Sequence, residues 1–141
     1  MIILDTDHLS ILQYASPKSE SLSRRLVESD EAVFATVISL EEQSRGWISV
    51  LGRYSSDLTK QVQCYQRICE MHLFYSAWNL LTFSDTAAGH FERLRREKVR
   101  IGSSDLKVAS IALSQDALLL TANTRDFEKV RDLRSEDWLG D

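Results

Sequence analysis

Hydrophobic positions along the chain follow two rhythms. Short, continuous apolar runs stand at residues 2–4 (IIL), 32–36 (AVFAT), 79–83 (NLLTF) and 117–121 (ALLLT). Runs of this length, rich in branched side chains, predict buried strands. Between them the apolar residues recur at helical spacing. Leu22 and Leu26 are one turn apart within residues 19–29, and Leu106, Val108, Ala109, Ile111, Ala112 and Leu113 mark a strongly apolar helix after the turn at Gly102-Ser103-Ser104. Ser103 or Ser104 is the expected cap of that helix.

The polar residues punctuate the pattern. Asp7 is the expected N-cap of a helix over residues 8–14, and Pro17 ends it. Ser39 is the expected cap after the second strand, with Glu42 three residues on as in a capping box. Gly46 is expected to interrupt that helix. Residues 47–78 read as mostly helical, with a polar break at 53–56, and Ser84 opens a helix running to about residue 98. The charged tail, residues 126–141, reads as a helical turn and a final edge strand.

Strands alternating with helices predict an α/β fold: three layers, α/β/α, around a mainly parallel sheet of four to five strands. Its strands are apolar throughout, as expected where helices cover both faces. At 141 residues, with no linker, repeat or low-complexity tract, the whole of 1–141 reads as one domain. Hydrophobic residues at 43% and charged residues at 27% fit a packed, soluble protein rather than a disordered one. No run approaches the roughly 18 apolar residues of a membrane span, and no basic stretch precedes an apolar one as in a signal peptide. With Cys64 and Cys69 lacking zinc spacing, the expectation is a cytoplasmic protein with structural cysteines.

The net charge of −4 argues against a protein that coats nucleic acid by bulk charge, but clustered acids lower the net charge of a nuclease as well. Ligands of open parallel sheets bind at the carboxyl ends of the strands. Asp5 ends the first strand and Thr121-Ala122-Asn123 ends ALLLT. Glu42 is expected on the first turn after the second strand, and Asp105 opens the apolar helix. Converging carboxylates repel, and a hard divalent cation relieves that repulsion. Oxygen ligands without His or Cys select Mg²⁺, with Mn²⁺ able to substitute. Such a centre acts on phosphates.

Four stretches, ILDTD (3–7), TVISLEEQSRGW (36–47), IGSSDLKVASIAL (101–113) and LLLTANTRDF (118–127), together resemble the PIN domain, and more closely the VapC-like ribonuclease toxins of bacterial type II toxin–antitoxin pairs. The resemblance runs from the first strand to EDWL at 136–139. It implies a metal-dependent endoribonuclease with Asp5, Glu42, Asp105 and Asp126 as catalytic metal ligands. Glu42 is selected over Glu41 because glycine, here Gly46, follows it four residues on. Many relatives carry aspartate at the position of Asn123, so the fourth charge would fall to Asp126. It also implies products with 5′ phosphate and 3′ hydroxyl ends, a homodimer and a cognate antitoxin as partner.

Thr6, Thr121 and Asn123 are supporting residues whose polar groups would orient the acids. Asp7 reads as a cap or a site contact, and His8 as structural. Arg93, Arg95, Arg96, Lys98 and Arg100 form the densest basic strip, either a solvated face or an RNA-tracking surface. Trp47, Trp78 and Phe74-Tyr75 read as core or dimer packing. Two other readings stand beside the nuclease. One is a degenerate PIN domain that only binds, favoured by Asn123. The other is a haloacid-dehalogenase-like phosphatase with Asp5 as nucleophile, for which the residues after Asp7 and after Thr121 do not match.

Overall fold

The computed structural model describes residues 1–140, and the prediction of a final strand falls within them. Five parallel strands, β1 (Ile2–Leu4), β2 (Val33–Thr36), β3 (Leu80–Leu81), β4 (Leu118–Leu120) and β5 (Arg134–Glu136), lie in the order β3-β2-β1-β4-β5. The helices are α1 (Thr6–Leu12), α2 (Pro17–Glu28), α3 (Val37–Arg53), α4 (Leu58–Ser76), α5 (Asp85–Arg96), α6 (Ser103–Gln115) and α7 (Thr124–Phe127).

The alternation of side chains along the strands divides the core in two. Ile3 and Leu119 point to one face, into a cluster with Ala87, Leu94, Leu106, Val108 and Ile111 from α5 and α6. Ile2, Leu4 and Leu120 point to the other, against Leu9, Leu22, Leu26, Met71 and Tyr75 from α1, α2 and α4. This is the three-layer arrangement that the apolar strands predict. Trp47, Trp78 and Phe74 pack against the second cluster. Cys64 is buried and Cys69 exposed, both as free thiols.

Several local expectations are corrected. Asp5, not Asp7, caps α1: its carboxylate accepts the Thr6 N–H at 2.8 Å. The helix begins directly after the strand, which leaves Asp7 inside its first turn. Pro17 starts α2 at the first helical position, where its missing N–H costs nothing, behind a capping box of Ser16 and Ser19. Thr36 caps α3, accepting from Ser39 N–H, so Ser39 lies within the helix and Glu42 sits on its second turn. Gly46 does not interrupt α3. It is exposed in the middle of a continuous helix, where glycine costs only about 1 kcal/mol against alanine. Gly102 caps α6 without any side-chain bond, so neither Ser103 nor Ser104 serves as cap.

Strand order locates the crevice. From β1 the chain steps outward to β2 and β3, then returns to the other side of β1 for β4 and β5. Topology therefore reverses between β1 and β4, and the carboxyl ends of these two strands flank the opening where ligands of such sheets sit. Among the described residues no helix is long and apolar enough to cross a membrane.

Candidate functional site

Asp5 follows directly on β1, and its side chain is buried, 6% exposed. One oxygen accepts the Thr6 N–H and the other the Thr121 hydroxyl at 2.9 Å. Thr121, fully buried, follows directly on β4. The two strand ends at the switch point are thus joined by this side-chain bond, beside the Asp5 N–H that donates to the Leu120 carbonyl at 2.9 Å. Burial, and after it the nearby charge of Asp7, pushes the Asp5 carboxyl up to about 6, against the opposing bonds from Thr6 and Thr121.

Asp7 ties the same ends together a second time. Its Oδ2 accepts the Ala122 N–H at 2.9 Å, while Oδ1 lies 2.6 Å from His8 Nδ1. Burial works to raise this carboxyl, but the bonds from His8 and Ala122 outweigh it and hold Asp7 below its ordinary value. His8 is fully buried, and its Nε2 accepts the Trp138 N–H at 3.1 Å. An imidazole accepting at Nε2 carries its proton on Nδ1 and donates it to Asp7. Both ring nitrogens are therefore committed, as the structural reading of His8 expects. The ring fastens the C-terminal segment to the edge of the crevice.

Glu42 reaches the cluster from α3. Its Oε1 stands 3.4 Å from the Thr6 hydroxyl, which also donates to Ser39 at 2.9 Å. Burial first, then the charge of Asp105, raises its carboxyl. Asp105 is the third residue of α6. That helix runs back against β4, so its N-terminus lies at the strand's carboxyl edge. Its carboxyl is raised by burial, then by the charges of Asp126 and Asp7, with Asn123 opposing. Asp126 lies on α7 and is the rim of the group. It accepts from Asn123 Nδ2 at 3.0 Å and from Lys129 Nζ at 3.3 Å, and these bonds, Asn123's first, hold it low.

The fold thus brings Asp5 and Glu42 each within reach of the charge of Asp105, with Thr121 bonded to Asp5 and Thr6 to Asp5 and, more loosely, to Glu42. Among the described residues none of these three acids has an ion pair with lysine or arginine, whereas Asp126 has Lys129. Equally, no three His, Cys, Asp or Glu side chains among the described residues are gathered closely enough to clasp an ion as they stand. The donor chemistry nevertheless suits a hard cation: carboxylates only, mutually repelling, with no basic side chain paired to the inner three.

The basic strip stands apart in its bonding. Arg93, Arg95 and Arg96 occupy the last turn of α5, where positive charge complements the helix dipole. Arg93 pairs with Glu97 at 3.2 Å, Arg95 lies over the Phe91 ring, and the Arg100 carbonyl accepts from Lys129. Lys98 takes a left-handed backbone conformation, φ 58°, in the turn after α5. Lys129 links the strip to the rim of the acids, donating to the Arg100 carbonyl at 3.4 Å and to Asp126 at 3.3 Å, while no strip side chain among the described residues bonds to a carboxylate of the group.

The coupling of Asp7 to Ala122 and of His8 to Trp138 was not legible beforehand. The Asp-Thr-Asp spacing pointed at Asp7, but nothing in the sequence placed the backbone of 122 or 138 beside it.

No protein-family model matches the chain. Among curated proteins it is 38% identical over 69 residues to the tRNA(fMet)-specific endonuclease VapC of Shigella flexneri, a stretch of 46% of this chain and 52% of that one. The chain thus spans about half the length of that relative. Among solved structures it matches a chain of VapBC-1 from nontypeable Haemophilus influenzae with a TM-score of 0.75 at 24% identity, covering 99% of this chain and 100% of that one. A toxin–antitoxin complex from Klebsiella pneumoniae matches with a TM-score of 0.59 at 19% identity over 94% of this chain and 95% of that one. The chain is similar to curated VapC ribonucleases over part of its length, and over 99% of its length it shares the fold of the VapBC-1 chain.

Proposed function

We propose that the chain is a metal-dependent endoribonuclease, the toxin of a toxin–antitoxin pair. The observation that carries the reading is the convergence of Asp5, Glu42 and Asp105 at the β1–β4 switch point with no paired basic side chain. Asp5, Glu42 and Asp105 would hold Mg²⁺, or Mn²⁺ in its place, with Asp126 completing the set in the absence of an acid at Asn123. Bound there, such an ion polarises a phosphoryl oxygen and makes a nucleophile of water at neutral pH.

The chain's own residues do the rest. Thr121 fixes the Asp5 carboxylate through its hydroxyl, so that it does not have to reorganise on binding, and the Thr6 hydroxyl stands 3.4 Å from Glu42. Asp7 holds the backbone after β4, which carries Asn123 and Asp126. Asn123 aims the Asp126 carboxylate by donating to it. Arg93, Arg95, Arg96, Lys98 and Arg100 would follow the RNA phosphates as a salt-sensitive surface.

Exposed Ile48, Leu58, Val62, Tyr65 and Leu73 on α3 and α4 support the remaining partners, a second copy of the chain and a cognate antitoxin. The domain would span 1–141 and act in the cytoplasm. A binding-only PIN domain is the second reading, and Asn123 with the neutralised Asp126 favours it.

Purified protein incubated with RNA and Mg²⁺ separates the two. The nuclease cleaves, leaves 5′ phosphate ends, and stops in excess EDTA. Asp5→Asn abolishes cleavage while circular dichroism stays unchanged. RNA bound but uncut by the intact chain would establish the binding-only domain. Growth arrest on expression, relieved by Asp5→Asn or by the antitoxin, tests the toxin role.

A further inference from the structure

His8 stands on the first turn of α1, fully buried, with a partner at each ring nitrogen. One partner leaves no choice. Trp138 meets Nε2 with its backbone N–H at 3.1 Å, and a backbone N–H only donates. Nε2 is therefore a bare lone pair, and the ring proton stands on Nδ1, 2.6 Å from Asp7 Oδ1. The opposite tautomer would set two donors against each other at Nε2 and two acceptors at Nδ1. Asp137 does not compete for Nε2. Its Oδ1 is 3.7 Å away, beyond a hydrogen bond, and accepts the Leu139 N–H at 2.8 Å instead.

The C-terminal segment has anchors of its own. The Arg25 guanidinium lies over the Trp138 ring at 4.2 Å, the indole N–H donates to Glu136 at 2.6 Å, and Trp138 and Leu139 pack against the apolar cluster of Leu9, Leu22 and Leu26. The segment thus sets the ring. What the ring sets in turn lies at the crevice. Asp7 receives the Nδ1 proton on one oxygen and the Ala122 N–H on the other, at 2.9 Å. Next along the turn, the Asn123 N–H donates to the Thr121 hydroxyl at 3.1 Å, and that hydroxyl donates to Asp5. The Asn123 side chain holds Asp126. A continuous run of contacts therefore leads from Trp138 through His8 and Asp7 to the turn at 121–123, which orients Asp5 through Thr121 and Asp126 through Asn123.

We propose that His8 is a positioning residue for the acidic site: the seated C-terminal segment selects its Nδ1–H tautomer, and that tautomer clamps Asp7 as the acceptor that holds the turn at 121–123. The bond at one imidazole nitrogen decides which nitrogen carries the proton, and partners of this kind orient the ligands in front of them. The consequence for metal rests on the cation-site reading above. His8 lies behind Asp7 and would touch neither ion nor RNA.

The test joins nitrogen NMR of the ring, hydrogen exchange of the Ala122 amide and calorimetric titration with Mn²⁺, on the whole chain and on two variants that split the imidazole. Counted in bonds from Cβ, an asparagine amide falls where Nδ1 stands and a glutamine amide where Nε2 stands. His8→Asn thus keeps a donor for Asp7, and His8→Gln an acceptor for Trp138. In the intact chain the proton is expected on Nδ1 alone. In His8→Gln the Ala122 amide is expected to exchange at least about tenfold faster relative to the amides of β4, and Mn²⁺ to bind roughly tenfold more weakly. His8→Asn is expected to keep both close to the intact chain. A proton on Nε2 of the intact chain would overturn the assignment, whether or not either variant folds. So would His8→Asn and His8→Gln that behave alike at Ala122, which would leave His8 a packing residue. An intact chain that binds no Mn²⁺ would overturn the cation site, while the tautomer and the Ala122 exchange would still decide the role of His8.

Discussion

The inner and outer parts of the acidic edge carry the same chemical groups in opposite states. Inside, Asp5 is buried and pushed up to about 6, and Glu42 and Asp105 are raised with it. Outside, Asp126 is held low by Asn123 and Lys129. Asp5 is bonded to the Thr6 amide and the Thr121 hydroxyl, which orient a carboxylate without cancelling its charge. The outer acid has a lysine. The fold has thus oriented Asp5 and left the three inner carboxylates without an ion-pair partner among the described residues, and compensated the rim. Electrostatic demand for a cation therefore sits on Asp5, Glu42 and Asp105, and Asp126 contributes least.

The sharpest way to break this contrast is to remove one inner charge. Asp5→Asn and Asp105→Asn are each expected to lower RNA cleavage by at least about a thousandfold, about 4 kcal/mol of barrier. Neither is expected to lower stability without metal, because each removes a repelling charge rather than a core contact. Cleavage assays paired with urea unfolding check both halves. Asp126→Ala is expected to act differently. It should raise the Mg²⁺ concentration for half-maximal cleavage several-fold, with a smaller loss at saturation. Asn123→Asp should lower that concentration or leave it unchanged. An Asp126→Ala protein as dead as Asp5→Asn would erase the distinction between rim and interior.

The contrast also has a pH signature. Asp5 has a folded pKa above its unfolded value, so the folded state binds its proton more tightly. Its contribution therefore makes the metal-free protein less stable as pH rises from about 4 towards about 6, and then levels off. Taken alone the shift corresponds to roughly 3 kcal/mol. Glu42 and Asp105 act in the same direction. Asp7 and Asp126, held low, do the reverse, and their contribution is lost only as pH falls below the ordinary aspartate range. Urea unfolding in EDTA across this range should show stability falling between about pH 4 and 6. Adding Mg²⁺ at neutral pH should recover it.

The smallest expected effect sharpens the role of Gly46. A Cβ there meets nothing within 4 Å, and its φ is not positive. Gly46→Ala should stabilise α3 by up to about 1 kcal/mol with cleavage unchanged. A loss of cleavage would show that the glycine serves the site rather than the helix.

Sheet and layers were legible because apolar runs such as IIL and ALLLT are unambiguous, and every strand except β5 is nearly all apolar. Caps were harder. Asp5, Thr36 and Gly102 each stand one to three residues before the polar residue expected to cap, because the turns into α1 and α3 from their strands, and into α6 from α5, are tighter than the spacing suggested. The acids were legible individually, from strand ends and from resemblance. Their electrical states were not. Whether an acid is raised or lowered depends on burial and on contacts such as Thr121 to Asp5 or Lys129 to Asp126. The first of these joins residues 116 positions apart.

As proposed, the inner carboxylates would form a cation site that no ion pair of the described residues matches. Calorimetric titration with Mg²⁺ in two buffers of different ionisation heat, at about pH 6 and again at about pH 8, tests it most directly, because ligands must lose their protons to bind. The account predicts binding at both, with protons released near pH 6, where Asp5 is partly protonated, and close to none at the higher pH. Absence of binding, or binding that releases no protons near pH 6 and persists unchanged in Asp5→Asn, would contradict it.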